Sequence, residues 1–134
     1  AAVADWRPVI MASQKMKKSH AGAPGLQLVE NPDILASLSE AGPRRPALVV
    51  GFAAETENLE TYARDKLTRK GCDWIVANNV APETGVLGGD MNTVHLVSGD
   101  GEETWEKMSK TEIAARLTAR IGAALQTEKQ VSTK

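Results

Sequence analysis

The segment that most constrains the fold runs from residue 46 to residue 78. It opens with the continuous apolar run PALVVGFAAE (46–55), which is typical of a parallel strand covered on both faces. A predicted helix follows from about residue 57 and ends at Gly71, because glycine is favoured just past a helix C-terminus. DWIVAN (73–78) predicts a second buried strand. Strand, helix and strand within about 30 residues form a βαβ unit, so we expect an α/β fold with a parallel sheet core flanked by helices.

Antiparallel strand pairs are predicted on both sides of this unit. Residues 9–16 and 26–29 have extended patterns, and SHAGAPG (19–25) between them breaks regular structure with two Gly and a Pro. These segments predict a hairpin arm with a mobile tip. Later in the chain, TVHLVS and EETWEK flank Gly99–Gly101 and predict a second hairpin.

Two further helices have clear start signals. Asn31–Pro32 predicts one start, because Asn caps free backbone N–H groups and Pro fits the first helical turn. Ser109 and Glu112 have the spacing of a capping box and open the last helix. The apolar stripe of that helix consists of Ile113, Leu117, Ile121 and Leu125. Residues 127–134 are expected to form a polar tail.

The composition excludes several classes of protein. A net charge of -1 over 134 residues argues against broad nucleic-acid binding, which needs a basic face. The single cysteine, Cys72, excludes an internal disulfide and suits a reducing cytosol, so we expect a cytoplasmic protein. No apolar run approaches the roughly 20 residues that cross a bilayer, and no membrane partner is expected. The apolar opening AAVADW leads us to expect a chain that begins inside a larger protein.

Two lysine clusters are candidates for binding an anion, because an ammonium group on a flexible stem suits phosphate oxygens. In KMKK (15–18), an extended backbone places Lys15 and Lys17 on one face and Lys18 on the other. Lys66 and Lys70 lie one turn apart on the inward stripe of the predicted helix. Both clusters also have a plainer interpretation. Lys15, Lys17 and Lys18 would protect an edge strand from aggregation. Lys66 and Lys70 would lay their apolar stems along the rim of the core with the ammonium group in water, or would complement the helix dipole.

Residues 1–4 predict the tail of a buried strand, and Asp5 follows it directly, at the edge where α/β folds bind ligands. Phe52 ends the predicted strand of the apolar run. Asp5 can hydrogen-bond a ribose hydroxyl or hold a magnesium ion, or it can serve only in a turn. Phe52 can pack on a base or only on the core edge. His95 and Cys72 lack metal-ligand spacing and are expected to be structural. GVLGGDMN (85–92) lacks the Gly-Lys-Ser/Thr of a phosphate-binding loop.

Six segments in series resemble one family, the phosphopantothenate–cysteine ligases, which in bacteria are often fused behind a flavin-dependent phosphopantothenoylcysteine decarboxylase. The segments are AAVADW, KMKK, NPDI, GFAAET, YARDKLTRKGCDWIVANN and the closing hairpin and helix. The resemblance covers residues 1–126, as the carboxy-terminal portion of the ligase domain. It implies a Rossmann-like fold whose antiparallel arm serves dimerisation. The family's Gly-rich nucleotide loop and its FMN-binding decarboxylase domain lie upstream of the matched portion and are absent from this sequence.

The resemblance implies a two-step ligation on the route to coenzyme A. The carboxylate of 4′-phosphopantothenate attacks the α-phosphate of CTP, pyrophosphate leaves, and the amine of cysteine attacks the resulting acyl-cytidylate. CTP is then a substrate and Mg²⁺ a cofactor, whereas FMN belongs to the decarboxylase. The resemblance also implies a homodimer formed through residues 9–29. We expect the 134 residues to be incomplete for catalysis by themselves.

Single residues acquire roles from the same resemblance. Lys15 corresponds to a catalytic lysine that contacts the nucleotide and helps the second half-reaction, and Lys17 and Lys18 begin a flap that closes over the intermediate. Nucleotide contacts are implied for Ala1, Asp5, Lys15, Val29, Glu30, Asn31, Pro32, Phe52, Lys66 and Lys70. One tension follows, because in a plain βαβ unit Lys66 and Lys70 lie at the sheet edge opposite to Asp5. No metal ligands are implied.

Two other functions stay open at this point. The segment 9–29 is also consistent with an assembly arm, in which case the chain is a dimerisation and nucleotide-binding module without activity of its own. A dinucleotide-binding domain is the third interpretation, and the missing G-x-G-x-x-G motif argues against it.

Overall fold

The computed structural model describes residues 4–10, 25–84, 86 and 89–131. The chain forms two compact units, Ala1–Ile34 and Leu35–Lys134. The first unit contains strands β1 (Trp6–Pro8) and β2 (Leu28–Glu30). Helix α1 (Ile34–Ser39) begins at the boundary. The second unit continues with β3 (Val50–Glu55), α2 (Leu59–Lys70), β4 (Trp74–Asn79), a 3₁₀ turn (Pro82–Thr84), β5 (Met91–Ser98), β6 (Gly101–Ser109) and α3 (Lys110–Val131).

The first unit is an antiparallel ribbon in which Trp6 pairs with Glu30 and Pro8 with Leu28. An antiparallel pair is present in this region, but its strands are Trp6–Pro8 and Leu28–Glu30 rather than the predicted 9–16 and 26–29. Pro8 favours extended backbone at Arg7, the residue before it. Residues 11–24, which include the predicted tip, lie outside the described residues.

The predicted capping role of Asn31 is wrong. Helix α1 begins only at Ile34, and the amide of Asn31 is engaged elsewhere. Its Nδ2 atom donates a hydrogen bond of 2.6 Å to the carbonyl oxygen of Ala4, and its Oδ1 atom accepts one of 2.9 Å from Nη1 of Arg7. Both ends of this side chain therefore serve the β1–β2 ribbon rather than a helix.

The four-stranded sheet of the second unit has the order β3–β4–β5–β6. β3 and β4 are parallel and are connected by α2, which confirms the predicted βαβ unit. β4 with β5 and β5 with β6 are antiparallel, so the sheet is mixed. Its parallel part is confined to the pair β3 and β4. The short turn 99–100 between β5 and β6 can connect only antiparallel strands.

Helix α2 ends as predicted. Gly71 has the left-handed backbone conformation (φ 66°), and its N–H donates a 2.9 Å hydrogen bond to the carbonyl oxygen of Leu67. A residue with a Cβ atom would be strained there. The helix begins at Leu59, two residues after the predicted start, and the last turn carries Arg69 and Lys70.

Helices cover both faces of the sheet. The cluster on one face includes the fully buried Ile75, with Leu67 of α2 packed against it. The cluster on the other face includes the fully buried Trp105, with Ile113 and Leu117 of α3 packed against it. Neighbouring residues of β4 point to opposite faces, as the strand geometry requires.

Strand β3 departs from the prediction that both of its faces are covered. Ala53 is buried, whereas Phe52 is 62% exposed. Helix α3 packs against β5 and β6, and among the described residues nothing comparable covers Phe52. An apolar run therefore predicted the strand correctly and its burial only in part.

The last helix begins with the predicted capping box. The backbone N–H of Ser109 donates to Oε2 of Glu112 (2.8 Å), and the N–H of Glu112 donates to Oγ of Ser109 (3.2 Å). Helix α3 then continues to Val131, past the expected start of the tail. Within the described part of the chain, no helix combines the length and the apolar character needed to span a bilayer.

Candidate functional site

The residues implied to bind the nucleotide are distributed over both units. Asp5 and Val29–Pro32 belong to the first unit, and Phe52, Lys66 and Lys70 belong to the second. Ala1, Lys15, Lys17 and Lys18 lie outside the described residues. The predictions on those four residues therefore stay predictions.

The β1–β2 ribbon brings Asp5 and Asn31 together. The backbone N–H of Asn31 donates a 2.8 Å hydrogen bond to the carbonyl oxygen of Asp5, which continues the strand pairing by one step. Asp5 is exposed, so its carboxylate is available to a ligand. The first unit thus places two of the predicted nucleotide-contacting segments side by side.

Arg7 is a residue of this site that the sequence did not single out. Its Nη1 atom donates two hydrogen bonds of 2.9 Å, one to the carbonyl oxygen of Glu30 and one to Oδ1 of Asn31. The guanidinium therefore joins β1 to the segment that follows β2. Sequence signals for this role are weak, since the register of the ribbon is needed to see that Arg7 reaches Asn31.

Phe52 presents its ring to solvent, although its neighbours in β3 are packed. An added Cβ atom on Gly51 would lie 2.6 Å from Cδ2 of Leu35 and 2.7 Å from Cδ1 of Ile75, so the backbone of β3 is held tightly at this point. A rigid strand that displays one exposed aromatic ring offers a stacking platform for a base. The alternative prediction, a phenylalanine at the edge of the core, stays a prediction beside this one.

Lys66 lies half-buried on α2, as the helical stripe predicted, and it borders an open groove of about 730 Å³. The groove is lined by Glu55, Tyr62, Asp65, Lys66, Thr68 and Arg69. Two carboxylates and two cations therefore face this groove, and their formal charges cancel. Lys70, also half-buried, lies in the last turn of α2 and outside this lining. Lys66 is thus the cation of the predicted pair that faces a concave surface.

Cys72 is a structural residue, as predicted. Burial raises the pKa of its thiol, while hydrogen bonding with backbone groups and the charge of Lys66 oppose that rise. Its Sγ atom donates a 3.4 Å hydrogen bond to the carbonyl oxygen of Trp74. A buried neutral thiol is a poor nucleophile, because the thiolate is the reactive form.

His95 is also structural, as predicted. It is buried, and its Nδ1 and Nε2 atoms lie 2.9 Å from Oγ1 of Thr104 and 3.1 Å from Oε2 of Glu102. Glu102 also forms an ion pair with Arg64 of α2. Both ring nitrogens are therefore occupied in a network that ties the β5–β6 hairpin to α2.

The described residues contain no group of three or more His, Cys, Asp or Glu side chains arranged to hold a metal ion. Asp5, a candidate for holding magnesium, belongs to no such group among the described residues. A magnesium ion needs six oxygen ligands, and it often takes several of them from substrate phosphates and water. The described residues do not form a site in which protein side chains alone hold this ion.

The chain is similar to proteins of one known family. Residues 1–125 match the family described as the DNA/pantothenate metabolism flavoprotein C-terminal domain. The coenzyme A biosynthesis bifunctional protein CoaBC of Haemophilus influenzae is 42% identical over 121 residues, which is 90% of this chain and 30% of that protein. CoaBC of Escherichia coli K12 is 45% identical over 105 residues, covering 77% and 26%. CoaBC of Bacillus subtilis is 40% identical over 124 residues, covering 92% and 30%. The matches therefore span between 26% and 30% of the length of these relatives.

Two solved structures are similar to this one. The C-terminal domain of a CoaBC protein superposes with a TM-score of 0.64 at 33% identity, over 95% of this chain and 53% of that chain. A DNA/pantothenate metabolism flavoprotein from Streptococcus pneumoniae gives a TM-score of 0.63 at 24% identity, over 92% and 57%. At that identity the second likeness supports the fold alone.

Proposed function

Because the chain belongs to the family of DNA/pantothenate metabolism flavoprotein C-terminal domains, we propose that it is the carboxy-terminal portion of a CTP-dependent phosphopantothenate–cysteine ligase in coenzyme A biosynthesis. The family match over residues 1–125 carries the proposal, since it includes every residue to which a nucleotide contact was assigned. The names of the CoaBC relatives, which refer to coenzyme A biosynthesis, support it.

In the proposed reaction, the carboxylate of 4′-phosphopantothenate attacks the α-phosphate of CTP and releases pyrophosphate. The amine of cysteine then attacks the acyl-cytidylate, forms the amide and releases CMP. Both steps bring anions together, so cations must already be in place where charge develops. The lysines of the chain are the residues proposed for that task.

In the first unit, Asp5 and Val29–Pro32 are proposed to bind CTP. The exposed carboxylate of Asp5 is suited to accept hydrogen bonds from ribose hydroxyls. Its backbone is held by the N–H of Asn31. The hydrogen bond between the two segments reduces the freedom that they lose on binding, which favours affinity.

In the second unit, Phe52, Lys66 and Lys70 are also proposed to contact CTP. The exposed ring of Phe52 can stack on the cytosine base, and such stacking contributes about 1–3 kcal/mol per base. Lys66 faces the groove beside α2, where its ammonium group is available to a phosphate oxygen. Lys70, in the last turn of α2, is proposed to make the same kind of contact with a phosphate oxygen.

Lys15 is proposed to be catalytic in the second half-reaction, with Lys17 and Lys18 opening a flap over the acyl-cytidylate. A closed flap excludes water, which would otherwise hydrolyse the intermediate. Ala1 is proposed to contact the cytosine edge through its backbone. No step is assigned to Mg²⁺, because the described residues do not form a site for it. FMN belongs to the decarboxylase part of such proteins and has no role in this portion.

The test is a reconstitution with the full natural chain. Pyrophosphate release should require both CTP and 4′-phosphopantothenate, and phosphopantothenoylcysteine should form only when cysteine is added. ATP in place of CTP should support at most a small fraction of the rate. Turnover that is independent of the nucleotide would refute the proposal.

A second candidate function is assembly through the segment 9–29 and the β1–β2 ribbon that overlaps it. Among their described residues, apolar side chains are exposed, with Trp6 at 53%, Leu28 at 49% and Ile10 at 79%. A concentration of exposed apolar side chains is typical of an interaction surface. Sedimentation velocity tests it, since a concentration-dependent dimer supports an assembly role and a strict monomer contradicts it.

A further inference from the structure

Arg7 makes hydrogen bonds that span the predicted nucleotide-contacting segments of the first unit. Its Nη1 atom donates to the carbonyl oxygen of Glu30 and to Oδ1 of Asn31, both at 2.9 Å. Asn31 in turn donates through Nδ2 to the carbonyl oxygen of Ala4. The guanidinium thus acts on both Glu30 and Asn31, and through Asn31 on the residue before Asp5.

These bonds restrain the ends of the strands where the ribbon itself gives little support. Each strand of the ribbon has only three residues, and isolated two-stranded ribbons are marginally stable in water. Among the described residues, the backbone pairing beyond the strands on this side consists of the Asn31–Asp5 bond. Two bonds from a charged donor to this end of the ribbon are therefore a substantial part of what fixes its geometry.

We infer that Arg7 is a positioning residue for CTP binding, which holds the Glu30–Asn31 segment against the Ala4–Asp5 segment through its Nη1 atom. This inference rests on the proposed function. It assigns Arg7 no contact with the substrates and no part in the chemistry. Its effect is on the affinity for the nucleotide, because both segments that it joins carry proposed nucleotide contacts.

Arg7→Gln in the full natural chain tests the inference by steady-state kinetics. We expect the KM for CTP to rise about tenfold, which corresponds to about 1.4 kcal/mol and to the smaller values known for hydrogen bonds to charged groups. The KM values for 4′-phosphopantothenate and cysteine should stay within about twofold. Arg7→Lys should restore most of the affinity, because an ammonium group can donate to the same two acceptors.

A double variant tests whether Arg7 acts through Asn31. Asn31→Ala should raise the KM for CTP, and adding Arg7→Gln to it should raise the KM by much less than in the wild type. Arg44→Gln is the matched control, since Arg44 is exposed in the second unit and has no role in the proposed site. It should leave all constants unchanged.

A merely structural role has a different signature. Partial unfolding of Arg7→Gln would lower kcat by reducing the active fraction, with an unchanged KM for CTP, and this result would overturn the inference. An unchanged KM with full activity would overturn it as well. If the wild-type chain shows no CTP-dependent turnover, the proposed function itself fails, so the two failures are distinguishable.

Discussion

The backbone N–H of Asn31 lies 2.8 Å from the carbonyl oxygen of Asp5 and donates a hydrogen bond to it. These residues are far apart in the sequence, yet the β1–β2 ribbon places them side by side. Both carry proposed contacts to CTP. Their adjacency supports the proposal that the first unit contributes to a nucleotide site.

Lys15→Gln is expected to separate the two half-reactions. The substitution removes a cation proposed to help the attack of cysteine, so amide formation should fall by roughly 10²–10³-fold, the usual loss for one such group. The acyl-cytidylate should still be detectable by mass spectrometry. Lys107→Gln, at an exposed position of β6, serves as the control and should behave as the wild type. Normal turnover by Lys15→Gln would refute the role.

Gly51→Ala is expected to destabilise the second unit. The new methyl group would lie 2.6 Å from Cδ2 of Leu35 and 2.7 Å from Cδ1 of Ile75, and Ile75 is fully buried. Overpacking of this kind costs about 1–3 kcal/mol, measurable by urea denaturation. Gly122→Ala is the matched control: it lies within α3 with open space around it and should stabilise by about 0.5–1 kcal/mol. Equal effects of the two substitutions would contradict the packing described.

Cys72 should resist alkylation in the folded protein. The thiol is only 7% exposed, and burial raises its pKa, so both access and the thiolate fraction are reduced. The rate with iodoacetamide at neutral pH should be at least about tenfold lower than in denaturant. Similar rates in both conditions would contradict the prediction and show that the segment between α2 and β4 opens readily.

Glu112 should make stability depend on pH in the acidic range. Hydrogen bonds from the hydroxyl and the backbone N–H of Ser109 lower the pKa of this carboxyl. Because the folded pKa lies below the unfolded one, the stabilisation is present above the ordinary carboxyl range and is lost as the pH falls through the folded pKa. The stability difference between the wild type and Glu112→Gln should therefore shrink as the pH falls. The control Glu106→Gln, at an exposed position of β6, should show no such trend. A difference for Glu112→Gln that is constant from neutral to acidic pH would contradict the prediction.

Features that depend on local sequence were predictable. The βαβ unit, the end of α2 at Gly71, the β5–β6 hairpin and the capping box of Ser109 and Glu112 all arise from patterns within a few residues or from short connections. In each case a hydrogen bond or a backbone conformation required by the chain's own local chemistry fixes the element. The structural roles of Cys72 and His95 were equally predictable, since neither has neighbours with metal-ligand spacing.

Features that depend on contacts between distant segments were not predictable. The amide of Asn31 suits a helix cap equally well, and only the register of the ribbon shows that Ala4 and Arg7 occupy it. The exposure of Phe52 could not be deduced from an apolar run, because burial is decided by where α3 packs. The antiparallel pairing of β4 with β5 was unpredictable for the same reason, since the local sequence does not show where β5 joins the sheet.

A crystal structure of the full natural chain with bound CTP tests the central claim most directly. The account predicts the nucleotide within hydrogen-bonding distance of Asp5 and Lys15, with its base against the ring of Phe52. A nucleotide bound elsewhere, away from all three residues, would contradict it.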